Sequence, residues 1–117
     1  MEPQDAVGAL SALAHPGRLD IFRRLVQAGP EGMAAGDIAR ATGSLSNTLS
    51  TNLGILAAAG LVASRRDGRS IIYTAGYERM RELLGFLVED CCGGRPEICA
   101  PLAAAASRPC DAEGRPC

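Results

Sequence analysis

The sequence has no tryptophan and no lysine, and it has only two phenylalanines and two tyrosines. With so few aromatic side chains, we expect a core built from aliphatic residues. No apolar run approaches the roughly 20 residues that a membrane-spanning helix needs. The acidic start of the chain also lacks the basic and apolar regions of a signal peptide. These absences predict a cytoplasmic protein with no membrane segment.

Cysteine is missing from the first 90 residues, and all five cysteines follow that point. The cytoplasm keeps thiols reduced, so clustered cysteines there bind metals more often than they form disulfides. A chain of 117 residues with 47% hydrophobic and 21% charged residues is typical of one small globular domain.

The net charge of −1 argues against a nucleic-acid partner, but the distribution of charge argues for one. Between residues 38 and 76 there are four arginines and one aspartate, a local net charge of +3. These residues are Arg40, Arg65, Arg66, Arg69 and Asp67. Arginine is the side chain best suited to bidentate contacts with phosphate and guanine.

Two short helices joined by a glycine turn are predicted in the middle of the chain. Residues 35–42 form the first helix, which we expect to bury Ile38 and Ala41 and to end at Gly43. Residues 46–59 form the second, with Ser44 or Ser46 as its N-cap. Its inward stripe is predicted to consist of Leu49, Leu53, Ile55 and Leu56.

The outward face of the second helix carries short hydroxyl and amide side chains. Such side chains suit contacts with base edges and phosphates when the N-terminus of a helix enters the major groove. A neutral helix buried in a core is the alternative, but six polar residues in seven positions argue against it. The predicted DNA contacts of this helix are Ser46, Asn47, Thr48, Ser50, Thr51 and Asn52.

Two strands rich in β-branched and aromatic residues follow the second helix. They flank residues 65–69, in which Asp67-Gly68 is a pair favoured in tight hairpin turns. A solvated hairpin is the simplest interpretation of a basic turn in isolation. Directly after a helix-turn-helix, however, Arg65, Arg66 and Arg69 are predicted to contact DNA from the tip of a wing.

Helices with apolar faces are predicted on both sides of this unit. Residues 4–13 place Val7, Leu10 and Leu13 on one face. Residues 77–90 carry a stripe of Tyr77, Met80, Leu84 and Leu87, broadened by Leu83 and Phe86. A helix at residues 16–28 with Leu19, Phe22, Leu25 and Val26 inward completes the pattern.

These elements predict a mainly α fold with a small β-hairpin, a winged helix-turn-helix in the order ααααββα. We expect a homodimer through the first and last helices, because a dimer presents two recognition helices to a palindromic operator. Residues 1–92 form the predicted DNA-binding and dimerisation domain. Residues 93–117 form a cysteine-containing tail.

The chain resembles the ArsR/SmtB family of metal-sensing winged-helix repressors. The resemblance covers residues 7–90 and is carried by residues 10–21, 36–39, 49–53, 56–62 and the Arg-Asp-Gly-Arg wing with Tyr73. Its most specific part is the join Leu56-Ala57-Ala58-Ala59-Gly60-Leu61-Val62. The resemblance implies a dimer that holds operator DNA when metal-free and releases it when metal binds.

The family's sensing sites are matched only at the end of this chain. The Cys-x-Cys site before the recognition helix is absent from residues 33–37. The zinc-type site needs carboxylates and histidines on the last helix, whereas the single histidine is His15, which is expected at the surface. Cys91 and Cys92, with Cys99 nearby, resemble the branch that binds trivalent arsenic.

The chemistry of trivalent arsenic fits that choice, because this soft ion takes three thiolates and needs no fourth ligand. We therefore expect an arsenite-responsive repressor with Cys91, Cys92 and Cys99 as ligands. As(III) is then the inducer, with Sb(III) as a second candidate, and no organic cofactor is expected.

Other uses of the cysteines remain open. A structural zinc site could recruit Cys110, although adjacent cysteines lack the usual C-x₂-C spacing. A thiol redox switch, or a response to zinc or cadmium, would give a different DNA-binding repressor. The roles of Cys110 and Cys117 stay open as well. An enzyme is not expected, because no C-x-x-C motif on a βαβ unit is present.

Overall fold

The computed structural model describes residues 1–88, which form five α-helices and a small sheet. The predicted order ααααββα is confirmed, with one added strand, β1, and one 3-10 turn. The elements are α1 (Pro3–Leu13), α2 (Pro16–Ala28), the 3-10 turn (Gly29–Glu31), β1 (Met33–Ala34), α3 (Ala35–Thr42), α4 (Ser46–Ala58), β2 (Val62–Asp67), β3 (Ser70–Ala75) and α5 (Tyr77–Val88). No helix in this range is both long and apolar enough to span a bilayer.

The core is aliphatic, as the scarcity of aromatic residues predicts. Its most deeply buried large side chains come from α2, α3, α4 and the residue that precedes β2: Ile21, Leu25, Ile38, Leu56 and Leu61. Phe22 is the aromatic member of the buried cluster among residues 1–88.

The first and last helices bury only some of their apolar side chains within one chain. In α1 the buried side chains are Ala6, Ala9 and Ala12, whereas Val7 and Leu10 are 65% and 42% exposed. The small alanines allow α1 to lie close to the core, which leaves its larger side chains outside. In α5 Leu83 is buried, while Leu84 and Leu87 are each 50% exposed. Both helices thus keep apolar side chains in solvent.

Three inward predictions in the central helices are wrong. Ala41 is exposed, and Leu19 and Ile55 are 43% and 38% exposed. In α4 the buried leucines follow a narrow stripe at steps of four and three residues, at positions 49, 53 and 56. Ile55 is offset from Leu56 by about 100° around the helix, because a helix has about 3.6 residues per turn. It therefore falls outside that stripe.

The corner between α1 and α2 is held by side chains that cap helix ends. His15 precedes α2, and its Nδ1 accepts hydrogen bonds from the Gly17 and Arg18 N–H groups at 3.1 and 3.4 Å. Arg18 Nε donates to Ala12 O at 2.6 Å, near the C-terminus of α1. His15 is exposed, as expected, but sequence reasoning did not foresee its role as a cap.

The sheet is antiparallel, with the strand order β1-β3-β2. Val62 pairs with Ala75 at the inner end of the wing (62–75), and both side chains are buried. β1 joins the opposite edge of β3 through the pairs Met33 with Tyr73 and Ala34 with Ile72. The wing therefore emerges from the core rather than from a free loop.

Candidate nucleic-acid interface

The turn between α3 and α4 spans three residues and begins with a left-handed glycine. Gly43 has φ 69° and ψ 18°, and its N–H donates to Ala39 O. The Ser44 N–H donates to the same oxygen at 3.2 Å. The Thr42 hydroxyl donates to Ile38 O and lies 2.8 Å from the Ser44 hydroxyl. These bonds end α3 and fix where α4 begins, as the sequence predicted for a helix-turn-helix corner.

The N-terminus of α4 is not capped as expected. Its N-cap residue is Leu45, and no side chain caps it, so the prediction of Ser44 or Ser46 is wrong. Ser44 is instead engaged with Thr42. The first two N–H groups of α4, those of Ser46 and Asn47, form no hydrogen bond with a described residue outside the helix. Together with the helix dipole, such N–H groups favour binding of a phosphate.

Five of the six polar residues predicted to face outward from α4 do so. They are all exposed: Ser46, Asn47, Thr48, Ser50 and Thr51. Two of them form local bonds, because the Thr48 N–H donates to Asn47 Oδ1 and the Thr51 hydroxyl donates to Asn47 O. The exposed polar surface therefore covers the first two turns of the helix.

Asn52 is the exception, since it is only 6% exposed. It follows Leu49 by three residues and so shares the inward face. Its Nδ2 lies 3.4 Å from the point where a Cβ on Gly17 would stand. Asn52 thus packs against the start of α2, and the prediction that it faces outward is wrong.

Leu45 is a candidate contact that sequence reasoning missed. It lies immediately before α4 and is 73% exposed, the highest value among the large apolar side chains of residues 1–88. A leucine with that exposure beside a polar helix end suits an apolar contact with a thymine methyl group. The signal in the sequence was its position between Ser44 and Ser46 at the expected start of the helix.

The turn of the wing lies one residue later than predicted. Asp67 pairs with Ser70, so Gly68 and Arg69 form the two-residue loop rather than Asp67 and Gly68. Gly68 has a positive φ of 62°, as a tight hairpin requires. Arg69 therefore lies at the tip itself.

The arginines of this region differ in their contacts. Arg66 and Arg69 are exposed and make no hydrogen bond or ion pair with any described residue. Arg65 instead donates to two backbone carbonyls of the 3-10 turn. Arg40, on α3, forms a salt bridge with Asp37. The two arginines nearest the tip are thus the ones with no competing partner among residues 1–88.

The expected arsenic ligands Cys91, Cys92 and Cys99 lie outside the described residues, as do Cys110 and Cys117. Within residues 1–88, no group of three or more histidine, cysteine, aspartate or glutamate side chains could hold a metal ion.

Comparison with known proteins identifies the family. Residues 13–65 match the model of a helix-turn-helix domain. The chain is 40% identical over 82 residues to the nodulation protein NolR of Rhizobium meliloti, covering 70% of this chain and 65% of NolR. It is 32% identical over 89 residues to the HTH-type transcriptional regulator YgaV of Escherichia coli, covering 76% of this chain and 88% of YgaV.

A solved structure agrees in fold. Mb0332 from Mycobacterium bovis shares 30% identity at a TM-score of 0.60, over 79% of this chain and 85% of that one. That domain is described as a homodimeric winged helix-turn-helix DNA-binding domain of a possible ArsR-family transcriptional regulator. YgaV is named as a transcriptional regulator and Mb0332 as a possible one, which is the class of protein that the sequence predicts for this chain. The chain therefore belongs to the family of winged helix-turn-helix transcriptional regulators, with ArsR-like proteins among its structural neighbours.

Proposed function

We propose that this regulator binds operator double-stranded DNA as a homodimer and represses transcription. The observation that carries the proposal is the uncapped N-terminus of α4, where five exposed polar residues follow an exposed leucine. A helix end of this kind offers N–H groups to phosphate and short side chains to base edges. The wing extends from the same unit and carries two arginines without intramolecular partners among residues 1–88.

Each exposed group then has a distinct role. Asn47 can bond adenine, while Ser46, Thr48, Ser50 and Thr51 reach bases or phosphates. Leu45 contacts a thymine methyl group. Arg66 and Arg69 contact phosphates or the minor groove beside the recognition helix. Asn52 is left out of this set, because its buried side chain holds α4 against α2.

Replacing Arg69 with alanine is expected to weaken binding about equally on all DNA sequences. It should also lower the slope of log K against log salt by about 1 per subunit, or about 2 per dimer. Fluorescence anisotropy at several salt concentrations measures both quantities. Arg23→Ala is the control, since Arg23 is an exposed arginine of α2, outside both the wing and the helices of the proposed dimer surface. If Arg69→Ala leaves the salt slope unchanged, the proposal that the wing contacts DNA is wrong.

The homodimer is proposed to form through α1 and α5. These two helices contact each other and carry exposed apolar side chains, Val7 and Leu10 on α1 and Leu84, Leu87 and Val88 on α5. A patch of this kind on adjacent elements marks an interaction surface. The homodimeric Mb0332 domain supports a second copy of the chain as the partner.

Leu84→Glu is expected to shift the protein from dimer to monomer at micromolar concentration, because each dimer would bury two uncompensated carboxylates. Sedimentation velocity measures the change, and affinity for a palindromic operator should fall with it. Leu19→Glu is the matched control, an exposed leucine on α2 outside the proposed surface. Equal dimerisation of both variants would place the interface elsewhere.

We further propose that arsenite is the inducer, with Cys91, Cys92 and Cys99 as its ligands. Three thiols suit a soft trivalent ion, and antimonite shares that preference. Their place in the chain supports the proposal, since Cys91 follows Val88, the last described residue of α5, by three positions. A ligand held there acts on DNA binding only through a different affinity for the two dimer states.

The decisive test is DNA binding measured by anisotropy on fragments upstream of the chain's own gene, with reductant present while arsenite and zinc are titrated. Arsenite, zinc and, without reductant, a mild oxidant are titrated in turn. Release by arsenite at low concentration but not by zinc supports the sensor. Release only by the oxidant favours a thiol redox switch and leaves DNA binding standing. Failure to bind any fragment contradicts the repressor itself.

A further inference from the structure

Arg65 is tied to a part of the chain far from it in sequence. Its Nη2 donates to Glu31 O at 3.0 Å, and its Nη1 lies 3.4 Å from Pro30 O. Both carbonyls belong to the 3-10 turn that follows α2. Hydrogen bonds from a charged guanidinium are stronger than those between neutral groups, and the planar fork of arginine suits two acceptors at once.

The sheet explains how Arg65 reaches this turn. β3 lies between β2 and β1, and Arg65 pairs with Ile72 of β3, so the two side chains share a face. Gly32 lies against that face as well, because a Cβ on it would stand 2.9 Å from Ile72 Cγ2 and 2.8 Å from Thr74 Cγ2. The side chain of Arg65 therefore crosses the middle strand to the chain segment that enters β1.

The outer wing has little else to hold it. β1 pairs only with Tyr73 and Ile72 of β3. Between Ile72 and the tip of the wing, β2 and β3 are therefore paired only with each other among residues 1–88. A two-stranded ribbon is marginally stable in water. A link from Arg65 to the 3-10 turn fixes the ribbon one residue before Arg66, whose side chain lies on the opposite face.

We propose that Arg65 is a positioning residue that braces the wing against the 3-10 turn, while Arg66 and Arg69 make the wing's contacts with DNA. The role in DNA binding rests on the proposed function, but the brace itself is a property of the free protein. It distinguishes Arg65 from the other two arginines, which sequence reasoning treated as equivalent.

Arg65→Ala and Arg65→Lys test the brace without DNA. Lysine keeps the charge but lacks the fork that bonds two carbonyls, so both variants are expected to speed amide hydrogen exchange across the wing. The increase should be roughly three- to tenfold, the worth of one or two exposed hydrogen bonds. Arg66→Ala and Arg66→Lys are matched controls on the neighbouring position and should leave exchange unchanged. Unchanged exchange in both Arg65 variants overturns the brace.

DNA binding supplies the second readout. If Arg65 braces the wing, Arg65→Lys should lose most of the affinity that Arg65→Ala loses, whereas Arg66→Lys should keep most of its affinity. Wild-type affinity in Arg65→Lys, with lost affinity in Arg65→Ala, identifies a plain phosphate contact and overturns the proposal. If the wild-type protein binds no DNA, the proposed function fails, while the exchange comparison still decides the brace.

Discussion

Gly32→Ala is expected to destabilise the fold by about 3–5 kcal/mol, because backbone strain and a steric clash both oppose a side chain at this position. Gly32 has φ 71° and ψ −165°, a backbone conformation that is essentially restricted to glycine. A Cβ there would also meet Tyr73 O and the side chains of Ile72 and Thr74. Because the nearest of these atoms is backbone within the sheet, β3 itself would have to move. Urea denaturation at fixed protein concentration measures the loss.

Gly29 provides a control that separates the two causes. It has nearly the same backbone conformation, φ 77° and ψ −166°, but no atom lies within 4 Å of the position that its Cβ would take. Gly29→Ala should therefore cost only the backbone strain, about 1–3 kcal/mol. Equal losses in the two variants would show that the clash with β3 is relieved at no cost. A greater loss at position 32 confirms close packing of the 3-10 turn on the sheet.

The local pattern of the sequence predicts most of the fold. The predicted bounds of α3 agree with the structure, and α4 ends one residue before its predicted end. Helix periodicity, glycine stops and the alternation of the wing are local signals, and each acts within a few residues. β1 was missed because two residues, Met33 and Ala34, carry no periodicity, and only β3 makes them a strand.

The errors at the site have a common physical origin. Asn52 and Ile55 were assigned to faces by polarity, but their position around the helix decides burial. The polar Asn52 lies on the leucine face, and the apolar Ile55 lies off it. For Arg65 the prediction of a DNA contact rests on its charge and its neighbours in sequence, which give no sign of its hydrogen bonds to the 3-10 turn. Its partners lie 34 and 35 residues away, a relation that no local pattern contains.

The exposed faces of α1 and α5 show a further limit of local sequence patterns. Apolar periodicity predicts helices with apolar faces, through which a homodimer is expected, but it does not say which apolar side chains of these helices pack within one chain. In α1 the alanines take the core position and leave Val7 and Leu10 in solvent. A single-chain core thus uses the small side chains, and the larger ones remain for the proposed partner.

Replacing Cys91, Cys92 or Cys99 with serine is expected to have the largest effect on function. Each variant should bind operator DNA with wild-type affinity, because all three positions follow the described winged helix-turn-helix. Each should need on the order of a hundredfold more arsenite for release, since the second and third thiols bind at the high effective concentration of a chelate. A serine hydroxyl is nearly isosteric but is a poor ligand for a soft ion. Anisotropy titration of preformed complexes measures the shift.

Cys110→Ser and Cys117→Ser are the matched controls, because they remove a tail thiol that the proposed site does not need. If arsenite is held by three thiols, these two variants should release DNA at the same arsenite concentration as the wild type. A double variant of Cys91, Cys92 and Cys99 should need at least as much arsenite for release as either single variant. A full response in one of the three variants removes that cysteine from the site. Equal losses in all five variants would instead indicate that the thiols act as an undifferentiated pool. In that case the assignment of Cys91, Cys92 and Cys99 as the ligands would lose its support.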